Sequence, residues 1–254
     1  MKRFRIFLFL IGAACVFLLS ACAIESEDPA VFLKGQSAAT IYHSAKKSLL
    51  KGDDNRAVKT YEALEVFYPF NRYSAQAQLD LMYGYYRSGN FPLAKVTAER
   101  FIHLYPNNQF IDYAYYIRAL ADMKQDRGWY LRYVPIDIDR RDPGTMWLAF
   151  DEFSQLIKFY PGSPYAADAR QRMIYLRNLF ARYELHIAEY YFKKKAFVAT
   201  INRAREIVQR YQGAPEVQEA LTLMIKSYHA LKLEDLAQQS LLILKLNFSN
   251  HPQK

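Results

Sequence analysis

Residues 79–106 read LDLMYGYYRSGNFPLAKVTAERFIHLYP, and the reading of this stretch decides the fold. Leu79, Met82, Tyr83 and Tyr86 recur at i, i+3, i+4 and i+7, the stripe of a helix buried along one face. Gly89-Asn90 interrupts the stripe. Phe91-Pro92-Leu93-Ala94 then opens a second helix, with Pro92 placed where a first turn tolerates its missing N–H. Ala94, Ala98, Phe101 and Tyr105 continue at helical spacing until Pro106 stops the run. The spacing therefore predicts two antiparallel helices joined by a tight turn, with Ala94 small enough to let them approach closely.

The closing string recurs along the chain. VFYPFN (66–71), HLYPNN (103–108) and KFYPGS (158–163) end in similar fashion, and RYQGAP (210–215) and NFSNHP (247–252) hold similar positions. The prolines Pro69, Pro106, Pro161, Pro215 and Pro252 are spaced by 37, 55, 54 and 37 residues. A period of this size is that of a helix–turn–helix repeat, and the two longer intervals hold the same unit with added residues. Gly52, Ala57, Tyr61, Leu64 and Pro69 echo the pattern in unit one, and Ala149, Phe153, Leu156 and Pro161 echo it in unit three. Unit five offers Tyr228, Ala237, Leu241 and Leu244, with Lys232 where the turn glycine belongs. In unit four Thr200 stands where alanine is expected, which leaves its register open. These five units resemble tetratricopeptide repeats. The predicted fold is all-α, a superhelical solenoid of five tetratricopeptide-like helix pairs with almost no sheet. Of the added residues, 125–144 read as a loop holding Trp129, Tyr130 and Tyr133, which either packs on its own repeat or offers a partner an anchor. Residues 165–195 lack internal Gly and Pro and read as one long helix.

The N-terminus reads differently. A basic start, Met1-Lys2-Arg3-Phe4-Arg5, precedes an apolar run from Ile6 to Leu19, too short to span a bilayer comfortably and suited to a signal peptide. Leu19-Ser20-Ala21-Cys22 follows and resembles the lipobox of bacterial lipoproteins, which implies cleavage before Cys22 and acylation of that cysteine. Several acyl chains on one residue hold a folded domain on a membrane without a spanning helix. Ala23, rather than Asp, implies onward export to the outer membrane, facing the periplasm. The expected organisation is a signal peptide (1–21), a lipidated tether (22–35), N-terminal repeats one to three (36–162) and C-terminal repeats four and five (163–254). Loss of Lys2, Arg3 and Arg5 with the signal lowers the formal net charge from +9 to +6, a mild excess that does not demand nucleic acid. Cys15 leaves as well, so no internal disulfide can form and packing must carry stability.

A lipobox followed by five such repeats resembles the BamD (ComL) family of outer-membrane β-barrel assembly lipoproteins. The local strings carry the resemblance: YPFNRYSAQAQLDLMYGYYRSGNFPLA from Tyr68, FIDYAYYIRAL from Phe110, the RRDPG and AFDEFSQLIKFYPGSPYAADA strings, and ARYELHIAEYYFKKKAFVATINR from Ala181. The resemblance implies a scaffold that binds BamA through its POTRA region, contacts accessory Bam lipoproteins and recognises unfolded outer-membrane proteins. The rival reading is a periplasmic repeat lipoprotein that docks peptidoglycan enzymes.

Chemistry-bearing motifs are scarce. There is no His-Glu-x-x-His, phosphate loop or nucleophile elbow, and His43, His103, His186, His229 and His251 form no i, i+4 pair. No catalytic residue, metal site or cofactor is expected beyond lipid on Cys22, and Glu184 and Glu189 read as solvated charges. The repeat register places Tyr42, Gln76, Leu79, Tyr83, Tyr86, Arg87, Tyr113, Tyr116 and Lys124 on the inner face, with Leu120 among them. They read either as an aromatic groove for an extended segment or as core between repeats. Arg87 and Lys124 are the candidates for pairing with a terminal carboxylate. In the C-terminal half Arg182, Glu189, Lys193, Arg203, Arg205, Glu219 and Lys226 read as a solvated face or, as the resemblance implies, as the surface that receives BamA.

Overall fold

The computed structural model of the protein describes residues 33–125 and 142–248. Among the described residues ten helices follow one another: α1 (Ala38–Leu50), α2 (Asp54–Phe67), α3 (Ser74–Arg87), α4 (Phe91–Leu104), α5 (Ile111–Gln125), α6 (Met146–Phe159), α7 (Ala166–Lys193), α8 (Phe197–Arg210), α9 (Val217–Ala230) and α10 (Glu234–Phe248). No strand occurs among the described residues. Each helix packs against the next, and the first helices also pack on one another, α1 on α3, α3 on α5 and α7 on α9. This is the stacking of a tetratricopeptide-like solenoid, in which first helices line one side and second helices the other.

The repeat pattern has a physical cause at each position. Ala57, Ala94, Ala149 and Thr200 are fully buried at the close approach of paired helices. Thr200 thus occupies the alanine position of unit four. Its hydroxyl is satisfied by donating to the Ala196 carbonyl at 3.2 Å, which settles the register that sequence left open. One helical turn further on sit Tyr61, Ala98, Phe153 and Ala204, and then Leu64, Phe101, Leu156 and Ile207, all at the core. Tyr68, Tyr105, Tyr160 and Tyr211 each leave the helix with φ between −139° and −112°. In the first three the following proline forbids a further helical residue. Asp53 and Asn90 cap α2 and α4, their side chains accepting from Arg56 N and Leu93 N. Gly84 lies where α3 meets α2, and a Cβ there would come within 3.0 Å of Val58.

Within-pair turns share one closing bond. Asp53 N donates to Ser48 O, Asn90 N to Tyr85 O, Ala196 N to Tyr191 O and Leu233 N to Tyr228 O, at 2.8–3.0 Å. The motif needs a left-handed residue just before its donor. Gly52 and Gly89 supply it in units one and two, at φ 82° and 81°, whereas Lys195 and Lys232 adopt φ 58° and 59° in units four and five. The single long helix predicted over 165–195 is α7, 28 residues long. Of the loop predicted over 125–144, Gln125 is the last residue of α5, and Trp129, Tyr130 and Tyr133 lie outside the described residues, as do Cys22 and Pro252. α5 and the start of α6 are tied together, because Thr145 Oγ1 donates to the Asp122 carbonyl at 2.7 Å.

Candidate functional site

The first helices of units one to three, closed by the start of unit four, enclose a pocket of ≈ 380 Å³. Lys46, Leu49 and Leu50 come from α1, and Gln76, Leu79, Asp80, Tyr83 and Arg87 from α3. Phe110 and Tyr113 lie at the start of α5, and Tyr165 immediately precedes α7. The α3 residues share one face because they fall at i, i+3, i+4, i+7 and i+11.

Asp80 organises the wall. It is buried, and its four bonds come from three helices: Tyr42 and Tyr61 hydroxyls donate to Oδ2 at 3.3 and 2.9 Å, and Lys46 Nζ and Gln76 Nε2 to Oδ1 at 2.8 and 3.2 Å. A carboxylate so fully satisfied holds its donors in fixed orientation. Burial, followed by the Asp80 charge, pushes the Tyr42 hydroxyl up to about 12 and raises Tyr61 further, so both remain protonated donors.

Of the residues assigned to the groove from sequence, Gln76, Leu79, Tyr83, Arg87 and Tyr113 meet in the pocket. The others require correction. Tyr42 is core, stacked on Tyr73 at 4.7 Å and bonded to Asp80 behind the wall. Tyr86 turns toward the second helices and packs on Phe91, with centroids 5.6 Å apart. Tyr116 stacks on Tyr165 at 4.8 Å and donates to Asp168, joining units three and four beside the pocket rather than within it. Lys124 lies in the last turn of α5 and is not part of the lining. Leu120 is buried core. Arg87, a candidate carboxylate partner, is already paired: its Nε lies 3.2 Å from Asp54 Oδ2 and its Nη1 donates to Leu49 O at 3.3 Å.

The C-terminal charges divide similarly. Glu184 is buried and receives Arg203 Nη1 at 3.1 Å, which corrects its reading as a solvated charge. Arg182 reaches the buried Glu216 at 3.4 Å, tying α7 to α9. Arg205 meets the Tyr228 hydroxyl at 3.3 Å. Lys193, Glu219 and Lys226 are exposed, and Glu189 sits 3.7 Å from His186 Nδ1. Beyond them α10 buries only Ala237 and Ser240, while Leu236, Leu242, Ile243 and Leu246 face outward, the last 73 % exposed. Among the described residues no other element covers this apolar stripe.

The profile of the family described as YfiO, outer membrane lipoprotein, matches residues 34–242. The outer membrane protein assembly factor BamD of Vibrio cholerae is 35% identical over 236 residues, which cover 93% of this chain and 96% of the relative. BamD of Neisseria gonorrhoeae is 34% identical over 236 residues, with 92% and 88% covered. BamD of Xylella fastidiosa is 30% identical over 239 residues, with 94% and 81% covered.

The chain belongs to the BamD family.

The BamD profile spans every pocket residue and every C-terminal charge singled out above. Membership also places the chain with outer-membrane lipoproteins. Among pocket residues, Lys46, Leu49, Leu50, Asp80, Phe110 and Tyr165 escaped the sequence reading. Phe110 and Tyr165 sit outside the helices, where periodicity gives no face. Asp80 follows Leu79 directly, and its burial depends on donors 19 to 38 residues away. The α10 stripe falls in and before the run LLILKL (241–246), which reads as core from sequence, yet no further helix follows within the described residues to cover it.

Proposed function

We propose that the chain is a non-catalytic lipoprotein scaffold of the β-barrel assembly machinery. In this reading Cys22 carries the lipid that holds it on the periplasmic face of the outer membrane. The N-terminal repeats (36–162) grip extended segments of unfolded outer-membrane proteins. The C-terminal repeats (163–254) dock on the POTRA region of BamA, and accessory Bam lipoproteins contact the remaining surface. The curated relatives are named outer membrane protein assembly factors, which favours this reading over an adaptor for peptidoglycan enzymes.

The observation that carries it is the pocket. It is concave, aromatic and fixed by a satisfied buried carboxylate, as suits a ligand with bulky side chains and little shape of its own. For the docking half, the support is the apolar α10 stripe flanked by the exposed charges of α9. An apolar anchor gives affinity, and mixed charge sets orientation. Copurification after mild detergent solubilisation tests the whole reading. A large outer-membrane barrel protein should come down with the intact chain, and recovery of cell-wall hydrolases in its place would sink it.

A further inference from the structure

The turn that closes the first repeat differs from its counterparts. After Tyr68-Pro69, Tyr105-Pro106 and Tyr160-Pro161 the next residue is Phe70, Asn107 and Gly162, and Gly213 holds that place after Tyr211-Gln212. A turn position facing water ordinarily carries such a polar or small residue. Phe70 is instead 99% exposed, and Val66, Pro69 and Arg72 beside it are exposed as well. The turn is firmly bonded. Asn71 Nδ2 donates to Tyr68 O at 2.6 Å, Tyr73 N to Asn71 Oδ1 at 2.7 Å, Asn71 N to Ser74 Oγ at 2.9 Å and Ser74 Oγ to Pro69 O at 3.1 Å. These bonds hold the Phe70 ring in water, where its apolar surface is unfavourable.

The same turn is stapled to the point where the chain enters the fold. The Tyr68 hydroxyl donates to Gln36 O at 2.7 Å, Gln36 N donates to Leu33 O at 3.1 Å, and Leu33 is buried in the core. Lys34 is exposed between them, and the Arg72 guanidinium stands over the Tyr73 ring at 4.6 Å. Glu62 and Glu65 at the end of α2 are committed elsewhere, to the Tyr85 hydroxyl at 2.5 Å and to Arg100 at 2.9 Å. Positive charge is therefore left beside the ring. From Cys22 to Leu33 is eleven residues of chain, which reach about 40 Å at full extension.

We propose that the 68–73 turn is a membrane contact: Phe70 seats its ring at the headgroup level of a phospholipid leaflet, with Lys34 and Arg72 on the lipid phosphates. This rests on the reading of Cys22 as the lipid-bearing residue and adds to it an orientation of the fold on the bilayer. Aromatic and basic side chains together favour that boundary. Weak insertion suffices, because the anchor keeps the turn at high effective concentration near lipid. The short tether favours a leaflet over a protein as the occupant, since it holds this corner close to lipid whatever else is bound.

Full-length lipidated protein in vesicles of phosphatidylethanolamine and phosphatidylglycerol tests it. Phe70→Cys carries an environment-sensitive nitrobenzoxadiazole probe, and Val198→Cys, at a position 62% exposed on α8, carries the same probe as control. The probe at 70 should shift to the blue and be quenched about twofold by nitroxide-labelled lipid, as a group at the acyl boundary is. The probe at 198 should keep its aqueous spectrum. Lys34→Glu combined with Arg72→Glu should return the probe at 70 toward the aqueous spectrum. Aqueous spectra at both positions, with the protein still floating with the vesicles, would overturn the inference and leave the lipid anchor standing. Equal quenching at both would overturn it too, since the contact would not belong to this turn. A blue shift at 70 that appears only after a partner protein is added would assign the ring to a protein contact and overturn it. Failure of the protein to float would overturn the anchor reading and the inference together.

Discussion

At the scale of single residues, buried acids decide more than exposed ones. Removing Asp80 deprives two phenols of their acceptor at once, so Asp80→Ala should cost about 2–3 kcal/mol, with Lys46 able to return to water. Urea unfolding measures this, and Asp80→Asn should cost less because it keeps one acceptor oxygen. Glu152 behaves oppositely. Burial raises its carboxyl, Arg118 at 3.0 Å and Lys95 pull it down, and Asp122 lifts it again, leaving it pushed up to about 8. Its folded pKa therefore lies above its unfolded one. The stability it contributes is complete below the ordinary carboxylate range and is lost as pH rises through about 8. Melting temperatures at pH 5.5, 7 and 9 should fall more steeply for the native chain than for Glu152→Gln, and parallel curves would refute this. Asp168 carries the reverse sign. Burial raises it, but hydrogen bonds from Tyr116 and Arg172 and the Arg172 charge bring it below its ordinary value, so its contribution appears above that value and fades on acidification. Such pairings were not legible in the sequence. Tyr42 and Tyr83 are both assigned to the inner face, yet one is core and the other pocket wall, because Tyr73 and Asp80 come from elsewhere to cover the first.

At the scale of elements, repeat logic made the fold readable. Alanine at the helix contact, an aromatic or leucine after it, and Tyr-Pro at the stop are local requirements, each visible without knowing the partner. The turns show where local chemistry is overridden. Lys195 and Lys232 take a left-handed conformation that favours glycine, because the same closing bond to the Tyr191 and Tyr228 carbonyls must form. An L side chain there costs about 1 kcal/mol, so Lys232→Gly should stabilise the chain slightly after its greater unfolded entropy is counted. Equilibrium denaturation should show a rise of a few tenths of a kcal/mol, and a loss above that scale would mean the lysine side chain itself holds the turn. The long helix was equally legible, since 165–195 has no breaker. The placing of Phe110 and Tyr165 was not, since residues just outside a helix have no period to follow.

At the scale of the whole molecule, the two proposed surfaces lie on different repeats, and their separate loss is measurable. Leu236→Glu together with Ile243→Glu places charge on an exposed stripe, where substitution changes stability little. The double variant should keep its circular dichroism and its peptide affinity while losing recovery of the barrel partner. Equal recovery would move docking away from α10. Tyr83→Ala should do the reverse, weakening peptide binding more than Arg87→Ala does, because Arg87 already serves Asp54. The sequence reading reached this division through the family resemblance together with the mixed charge of the C-terminal half. It missed the apolar stripe because an amphipathic helix looks the same whether or not a neighbour covers its second face.

One consequence follows from α7. It starts beside Tyr165 in the pocket wall and runs 28 residues to Lys193, where its pair partner α8 and then the last pair follow. At about 1.5 Å of rise per residue it is a rod of about 42 Å. Both the distance and the azimuth between the pocket and the C-terminal pairs are therefore written in a residue count. Deleting one residue shortens the rod by only about 1.5 Å but swings everything beyond it by about 100°, whereas inserting seven lengthens it by about 10 Å and restores the aim to within about 20°. Length changes tolerated in this rod should therefore come in near-whole turns, and a chain lengthened by seven residues should still assemble where one shortened by a single residue does not.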